Sequence, residues 1–250
     1  MNNHSILSIQ HLTKTYDDQE ETSTVLDDIN LNIDQKDFLC ILGPSGCGKT
    51  TFIRCIAGFE NYDGQILVNG ISKTSPAPDR IMVFQDYNQL FPWKTIHQNI
   101  IYPLKLKGIS DKHELLSIAD EALRKVKLSN FANYYPHQLS GGMKQRVAIA
   151  KALALKSEII LMDEPFAALD AMTRRTLQNE LLTISESEEC TFIFITHNIQ
   201  EAICLGKRIL VFGNNGKIKV DIANPLTRPI TPATSGYGDL WEVLNKSLYT

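Results

Sequence analysis

A glycine-rich loop near the start of the chain has the residue types and spacing of a phosphate-binding site. Its eight residues fit the pattern Gly-x4-Gly-Lys-Ser/Thr and are Gly43, Pro44, Ser45, Gly46, Cys47, Gly48, Lys49 and Thr50. Glycines let the backbone close around an anion and turn successive N–H groups toward phosphate oxygens. Lys49 then bridges the β- and γ-phosphates, and the Thr50 hydroxyl binds Mg²⁺. We assign Thr51 to the same set, because it continues the loop into a helix whose positive end faces the phosphates.

The cysteines indicate neither a metal site nor a redox pair. They are five in number, and none forms a Cys-x-x-Cys pair: Cys40, Cys47, Cys55, Cys190 and Cys204. A reduced cytosolic setting is therefore expected. Cys47 stands at a variable position of the phosphate loop and is interpreted as a tolerated residue rather than a redox switch.

An acidic pair follows a second apolar run. Residues 159–162 are Ile-Ile-Leu-Met, and Asp163 and Glu164 come directly after them. Two carboxylates at the end of a buried strand are costly unless they meet a cation or a proton-transfer partner. Beside a phosphate loop, Asp163 is expected to hold Mg²⁺ through its water shell, and Glu164 to act as general base toward the attacking water. The alternative is an acidic turn without chemistry.

A second anion-binding helix start lies in Leu139-Ser140-Gly141-Gly142-Met143-Lys144-Gln145-Arg146. Ser140 is a natural N-cap, and Gly141 and Gly142 let the helix N–H groups approach a phosphate closely. This segment is expected to lie too far from Lys49 for both to bind one nucleotide within a single chain. The alternative is an ordinary Ser-Gly-Gly helix start.

The elements that must position these residues form an α/β pattern. Five short apolar runs are typical of strands covered on both faces: 38–42, 81–84, 159–162, 192–195 and 209–212. Residues 26–33 and 65–70 contain more polar side chains and resemble antiparallel strands near an edge. Residues 95–155 contain no convincing strand and predict an inserted helical subdomain, with a capped helix that begins near residues 110–114.

Composition excludes several classes of function. A formal net charge of −3 argues against general nucleic-acid binding. The first residues lack the basic start and apolar stretch of a signal peptide. No apolar run approaches the roughly 18 residues that a transmembrane helix needs. Any work at a membrane would require another chain to supply the membrane part.

Taken together, these motifs resemble the ABC-type ATPases, whose signature is Leu-Ser-Gly-Gly-x-x-Gln-Arg. The resemblance runs from about residue 6 to residue 220 and implies a P-loop NTPase core with an antiparallel β-subdomain and a helical subdomain at about 95–155. It implies an ATPase domain over 5–223 and a C-terminal tail over 224–250. ATP and Mg²⁺ are the implied ligands. Ser140 is implied to close over the ATP of a second copy, which gives a head-to-tail homodimer with two ATP molecules.

Further roles are implied by the resemblance alone. Tyr16 resembles the aromatic residue that stacks on adenine, and Gln85 the glutamine that reaches Mg²⁺ and the attacking water. Residues 167–170 resemble the loop that crosses the dimer seam. His197 resembles the histidine that contacts the γ-phosphate and aligns Glu164.

The branch of the family is indicated by Phe91-Pro92-Trp93 and by residues 163–174, which are similar to the nitrate, sulfonate and taurine importers. That branch implies peripheral attachment at the cytoplasmic face of the membrane. The implied partners are permease subunits and, indirectly, an extracytoplasmic solute-binding protein. Residues 86–93 are expected to form the permease-docking loop, with Leu90, Phe91 and Trp93 at the contact.

Other functions stay open at this point. The branch also transports thiamine-precursor pyrimidines, and no residue here contacts the solute. A soluble ABC ATPase acting on ribosomes or DNA would usually carry two cassettes or a long coiled-coil insertion. A nucleotide-binding regulator with little hydrolysis would be expected to lack Glu164 or His197, and both are present.

Overall fold

The computed structural model describes residues 5–17, 22–84 and 89–249. The chain divides into two compact units, each with its own internal contacts. Unit 1 comprises residues 1–77 and 189–250, and unit 2 comprises residues 78–188. The second unit is thus an insertion into the first, and it is longer at both ends than the predicted helical segment 95–155.

Unit 1 contains a four-stranded antiparallel sheet, in the order β2-β1-β4-β5. The strands are β1 (Ser5–Asp17), β2 (Thr22–Asp34), β4 (Asp63–Val68) and β5 (Ile71–Ser72). The second half of β2 alternates buried and exposed side chains, as expected for a sheet with one solvated face. Irregular register between β1 and β2 places His11 and Asp28 at positive φ.

A second group of strands in unit 1 carries the phosphate loop. Strand β3 (Phe38–Leu42) pairs in parallel with β8 (Thr191–Ile195) on one side and β9 (Arg208–Phe212) on the other, and β10 (Ile218–Ala223) adds an antiparallel edge. All side chains of β3 and β8 are buried, and Phe38 stacks on Phe192 with ring centroids 5.3 Å apart. The helices of this unit are α1 (Lys49–Ala57), α6 (Ile199–Leu205) and α7 (Tyr237–Tyr249).

Unit 2 combines a parallel strand pair with four helices. The strands are β6 (Arg80–Val83) and β7 (Ile159–Asp163). The helices are α2 (Ile96–Leu106), α3 (Lys112–Lys125), α4 (Gly141–Ala154) and α5 (Ala171–Ser187). The N-terminus of each helix is capped by a side-chain oxygen, and the capping residues are Thr95, Asp111, Ser140 and Asp170.

The predicted α/β class, with both parallel and antiparallel strands, is confirmed. Four of the five continuous apolar runs lie wholly in strands that have parallel partners, and the run 81–84 extends one residue past the end of β6. Asp111 caps α3 as predicted, through a 2.7 Å bond from the Glu114 N–H. No helix among the described residues is both long enough and apolar enough to span a bilayer.

Candidate nucleotide-binding site

The phosphate loop occupies the turn between β3 and α1. Gly46 and Gly48 have φ values of 80° and 99°, a region that side chains with a Cβ rarely adopt. A Cβ on Gly48 would also lie 2.7 Å from the Val25 carbonyl oxygen. Glycine is therefore required at residue 48 by both backbone conformation and space, and it lets α1 begin at Lys49 without a side-chain cap. The first N–H groups of α1 are left to an anion.

Cys47 is a packing residue of this loop. Its side chain is buried, and a Cβ on Gly43 would lie 2.7 Å from its Sγ atom. Burial raises the pKa of the Cys47 thiol, although the neighbouring Lys49 opposes that shift. A neutral thiol is a poor nucleophile, in agreement with the interpretation of Cys47 as a tolerated loop residue.

Lys49 is buried at 6% exposure, with its ammonium folded over the loop. Its Nζ donates to the carbonyl oxygens of Gly43 at 2.8 Å and Pro44 at 2.7 Å. Because both carbonyl groups are neutral, they orient the ammonium without balancing its positive charge. A buried cation held in this way is suited to bind the charged oxygens of a polyphosphate.

Thr50 and Thr51 form the first turn of α1 with Lys49. Thr50 is exposed and Thr51 half-buried. The Phe52 N–H closes this turn by donating to the Gly48 carbonyl at 2.8 Å. The Thr50 hydroxyl is the oxygen ligand of this loop that Mg²⁺ would use, since that ion prefers hard oxygen donors.

His197 follows the carboxyl end of β8, next to the end of β3. The Thr196 N–H donates to the Ile41 carbonyl at 3.1 Å, which ties the two strand ends together. His197 is exposed while Thr196 is buried. The phosphate loop and His197 therefore lie at one edge of the parallel strands, where α/β proteins bind their ligands.

Tyr16 lies near the end of β1 and is 40% exposed. The Lys14 ammonium lies 4.5 Å from the centroid of its ring. Lys14 is itself fixed by Glu60, with 3.4 Å between Nζ and Oε2. This arrangement orients an accessible aromatic ring.

The acidic pair ends β7 in unit 2. Asp163 is the last residue of the strand, and Glu164 has a φ of 42°. Positive φ is uncommon for residues other than glycine, and such backbone strain concentrates at functional sites. The turn then closes through bonds from Ala167 N–H to Glu164 O and from Leu169 N–H to Phe166 O, both 3.2 Å. The carboxylate of Glu164 is thereby presented in a defined turn.

Ser140 caps α4 as predicted, accepting a 3.3 Å bond from the Met143 N–H. Gly142 is also constrained by packing, in addition to its predicted place at a phosphate. A Cβ at Gly142 would lie 2.9 Å from Cγ2 of Thr173, on α5. The second glycine is therefore required by the close packing of α4 on α5, and no spacing rule in the sequence indicated Thr173 as its neighbour.

Asp170 is the N-cap of α5, a role that the sequence analysis did not predict. Its carboxylate accepts bonds from the N–H groups of Met172 at 3.1 Å and Thr173 at 3.0 Å. These bonds, led by the one from Thr173, lower the pKa of Asp170. The predicted roles of Gln85 and of residues 86–88 lie outside the described residues.

These features define a P-loop ATPase. The lysine-bearing loop, the acidic pair and the histidine each lie at the end of a strand. The sequence matches the ABC transporter family over residues 26–167. The chain belongs to this family, as one of its ATP-hydrolysing cassettes.

Several characterised and uncharacterised relatives cover most of the chain. An uncharacterized ABC transporter ATP-binding protein of Methanocaldococcus jannaschii is 47% identical over 225 residues, 89% of this chain and 84% of the relative. The aliphatic sulfonates import ATP-binding protein SsuB of Bacillus cereus is 40% identical over 238 residues, 94% of this chain and 92% of the relative. The nitrate import ATP-binding protein NrtD of Synechocystis is 43% identical over 209 residues, 83% and 78% of the two chains.

Solved structures agree with this assignment. A dimeric ATP-binding cassette in a post-hydrolysis state, bound to ADP and Pi, has a TM-score of 0.77 and 34% identity, and the match covers 87% of this chain and 98% of that one. CbiO1 of Clostridium perfringens, part of the ABC transporter complex cbiONQ, has a TM-score of 0.79 and 27% identity over 89% of each chain.

Lys49→Ala is expected to lower ATPase turnover at least about 100-fold, because the charge that pairs with the phosphates is removed. Turnover at saturating Mg-ATP and the melting temperature measure the effect. Lys246→Ala on α7, where the ammonium pairs with Glu242 on the surface, is the matched control. Near wild-type turnover in Lys49→Ala would contradict the phosphate-loop assignment.

Glu164→Gln is expected to stop hydrolysis while ATP still binds, because the amide keeps the shape of the side chain but cannot accept a proton from water. Gel filtration with Mg-ATP should show an accumulated dimer, and a fluorescent ATP analogue should show retained affinity. The control is Glu121→Gln, an exposed residue of α3. Normal turnover in Glu164→Gln without dimer accumulation would rule out this carboxylate as the base.

Proposed function

We propose that this chain is the ATP-hydrolysing subunit of an importer for a small solute of the sulfonate, nitrate or taurine kind. The cassette is attached at the cytoplasmic face of the membrane beneath separate permease subunits, and an extracytoplasmic binding protein delivers the solute. The observation that carries the proposal is the alignment with SsuB, which extends over nearly the full length of both chains.

The proposed catalytic cycle assigns one task to each site residue. Lys49 and the backbone N–H groups of the loop from Gly43 to Thr51, except at Pro44, which has none, bind the phosphates. Tyr16 stacks on adenine. Thr50, Asp163 and Gln85 would hold Mg²⁺, and the ion would neutralise negative charge on the phosphate oxygens during transfer. Glu164 accepts the proton of the attacking water, and His197 contacts the γ-phosphate.

The proposed working form is a head-to-tail homodimer. Each chain holds one lysine-bearing loop, in unit 1, and one serine-capped helix start, in unit 2. Ser140 is exposed at the start of α4, where its hydroxyl and the helix N–H groups are available to a phosphate from a second copy. The dimeric state of the similar cassette with ADP and Pi supports this arrangement.

An aromatic patch on unit 2 is the proposed permease contact. It consists of Phe91, Trp93 and Tyr102, with the Phe91 ring 5.5 Å from that of Trp93 and 5.1 Å from that of Tyr102. Trp93 is 70% exposed. The buried Asn99 fixes the backbone of Phe91, accepting from its N–H at 2.8 Å and donating to its carbonyl at 3.2 Å. A preorganised aromatic patch is typical of a protein-binding site.

Leu90 does not belong to this contact. Its side chain is buried at 3% exposure, so the expectation that it contacts the permease is wrong. Leu90 is thus a buried anchor of this segment, whereas Phe91 is half-buried and Trp93 is exposed.

The charge around the patch indicates the chemistry of its partner. Lys94 lies 5.0 Å from the ring centroid of Tyr102, and Lys151 lies 5.9 Å from that of Phe91. Residues 89–110 contain three lysines and neither Asp nor Glu. Burial lowers the pKa of Lys151, which means that its charged form is incompletely solvated. The patch therefore favours a helix with an apolar face and an acidic edge.

Solute identity is testable in proteoliposomes that contain the cassette with its permease and binding protein. Sulfonate-loaded or nitrate-loaded binding protein is expected to raise ATP turnover several-fold over unloaded binding protein. A pyrimidine precursor of thiamine is the comparison solute. Stimulation by the pyrimidine alone would replace the proposed solute class, and co-purification with ribosomes in place of a permease would refute the importer role.

Phe91→Ala and Trp93→Ala are each expected to weaken permease binding by about 2 kcal/mol, close to 30-fold, since aromatic anchors of this kind carry much of an interface's affinity. ATP affinity of the isolated cassette should stay unchanged. Permease pull-down, ATP affinity and melting temperature are the measurements. Trp241→Ala on α7, at 41% exposure, is the matched control. A destabilised variant that still binds the permease normally would contradict the docking role.

A further inference from the structure

The C-terminal tail is hydrogen-bonded to the end of α6, the two-turn helix that follows His197. Asn224 donates from Nδ2 to the carbonyl oxygens of Ile203 and Gly206, both at 2.8 Å. Arg228 donates from Nη2 to the Leu205 carbonyl. The last carbonyls of a helix lack partners within the helix, and a cation there is favoured by the helix dipole. The tail therefore supplies the C-terminal cap of α6.

Two further contacts hold the tail in place. The Asn224 side chain is itself oriented by the Leu226 N–H, which donates to its Oδ1 at 3.1 Å. Helix α7 packs on α6 and on β9, and it buries Tyr237, Leu240 and Leu244. The capping groups are thus carried by an anchored segment of unit 1.

The opposite end of α6 fixes both neighbours of His197. Thr196 donates from its hydroxyl to Oε2 of the buried Glu201 at 2.5 Å and accepts from the Asn198 N–H at 3.0 Å. Asn198 in turn caps α6, accepting from the Glu201 N–H at 3.2 Å. The residue on each side of the histidine is therefore bonded through its side chain to Glu201, in the first turn of the helix.

We propose that the tail positions His197 for ATP hydrolysis through α6, with Asn224 and Arg228 as positioning residues. This inference rests on the proposed role of His197. Helix α6 has seven residues and is only about 10 Å long, so it moves as one body when its C-terminal carbonyls lose their partners. Its other end then displaces Thr196 and Asn198, and the imidazole between them loses its alignment. Small misplacements of this kind act on turnover more than on nucleotide binding.

The test compares three variants of the full chain. Asn224→Asp keeps the side-chain shape and the acceptor for Leu226, but it removes the amide donor and adds a negative charge at the helix end. Arg228→Lys retains a cationic donor and is the conservative variant beside Arg228→Ala. Asn214→Asp, at an exposed position of the turn between β9 and β10, is the matched control for the charge change.

Asn224→Asp and Arg228→Ala are each expected to lower kcat for ATP hydrolysis about three- to tenfold, with KM for ATP changed less than about twofold. Arg228→Lys is expected to keep most of the wild-type kcat. The nuclear magnetic resonance signals of the His197 ring, assigned by their disappearance in His197→Ala, should shift or broaden in Asn224→Asp and stay in place in Asn214→Asp. A change in the His197 ring signals reports on the alignment of the imidazole, and a general loss of stability would not produce it.

Unchanged kcat and unchanged His197 ring signals in Asn224→Asp and Arg228→Ala would overturn the inference. A fall in kcat that merely parallels the melting temperature, with the ring signals in place, would overturn it too. His197→Ala separates this failure from that of the proposed function: near wild-type turnover in that variant would refute the role of the histidine itself, whatever the tail variants do.

Discussion

The buried ammonium of Lys49 is the interaction on which the nucleotide site depends. A fully buried strand, β3, delivers the chain into a loop whose carbonyls at Gly43 and Pro44 hold the ammonium in place. These partners orient the cation without neutralising it. Burying a charge in this manner is costly unless an anion binds, so a phosphate at this loop would offset that cost. The glycine at residue 48 makes the arrangement possible, since any Cβ there would collide with Val25.

The remaining site residues are positioned by the ends of strands and by the caps of helices. His197 follows β8, the direct neighbour of β3. Both residues beside it are hydrogen-bonded to Glu201 of α6, and the tail is hydrogen-bonded to the other end of that helix. Glu164 follows β7 in a strained turn, and this turn leads to Asp170, which caps α5. Helix α5 packs against Gly142 of α4. Within unit 2, Glu164 is therefore connected through α5 to α4, the helix that Ser140 caps.

The fold class and the places of the strands and helix starts were predictable from the sequence, because the signals are local. Continuous apolar runs indicated the buried strands, and Gly-x4-Gly-Lys-Thr and Ser-Gly-Gly indicated the two phosphate-type helix starts. Contacts between distant residues had no such signal. Nothing in the sequence paired Gly142 with Thr173, or Asn224 with the end of α6, since these depend on how helices pack after folding. Leu90 was misassigned for the same reason: an apolar residue in an aromatic segment can face the core or a partner, and only the packing decides.

In the proposed dimer, one ATP is bound by Lys49 of one copy and by Ser140 of the other. Vanadate trapping with Mg-ATP tests it directly, because orthovanadate takes the place of the γ-phosphate and, under ultraviolet light, cleaves the backbone at serines that touch it. Mass spectrometry of the fragments is predicted to show cleavage at Ser45 in the phosphate loop and at Ser140 at the start of α4. Cleavage at Ser45 alone, in a sample that traps vanadate and loses activity, would contradict the account.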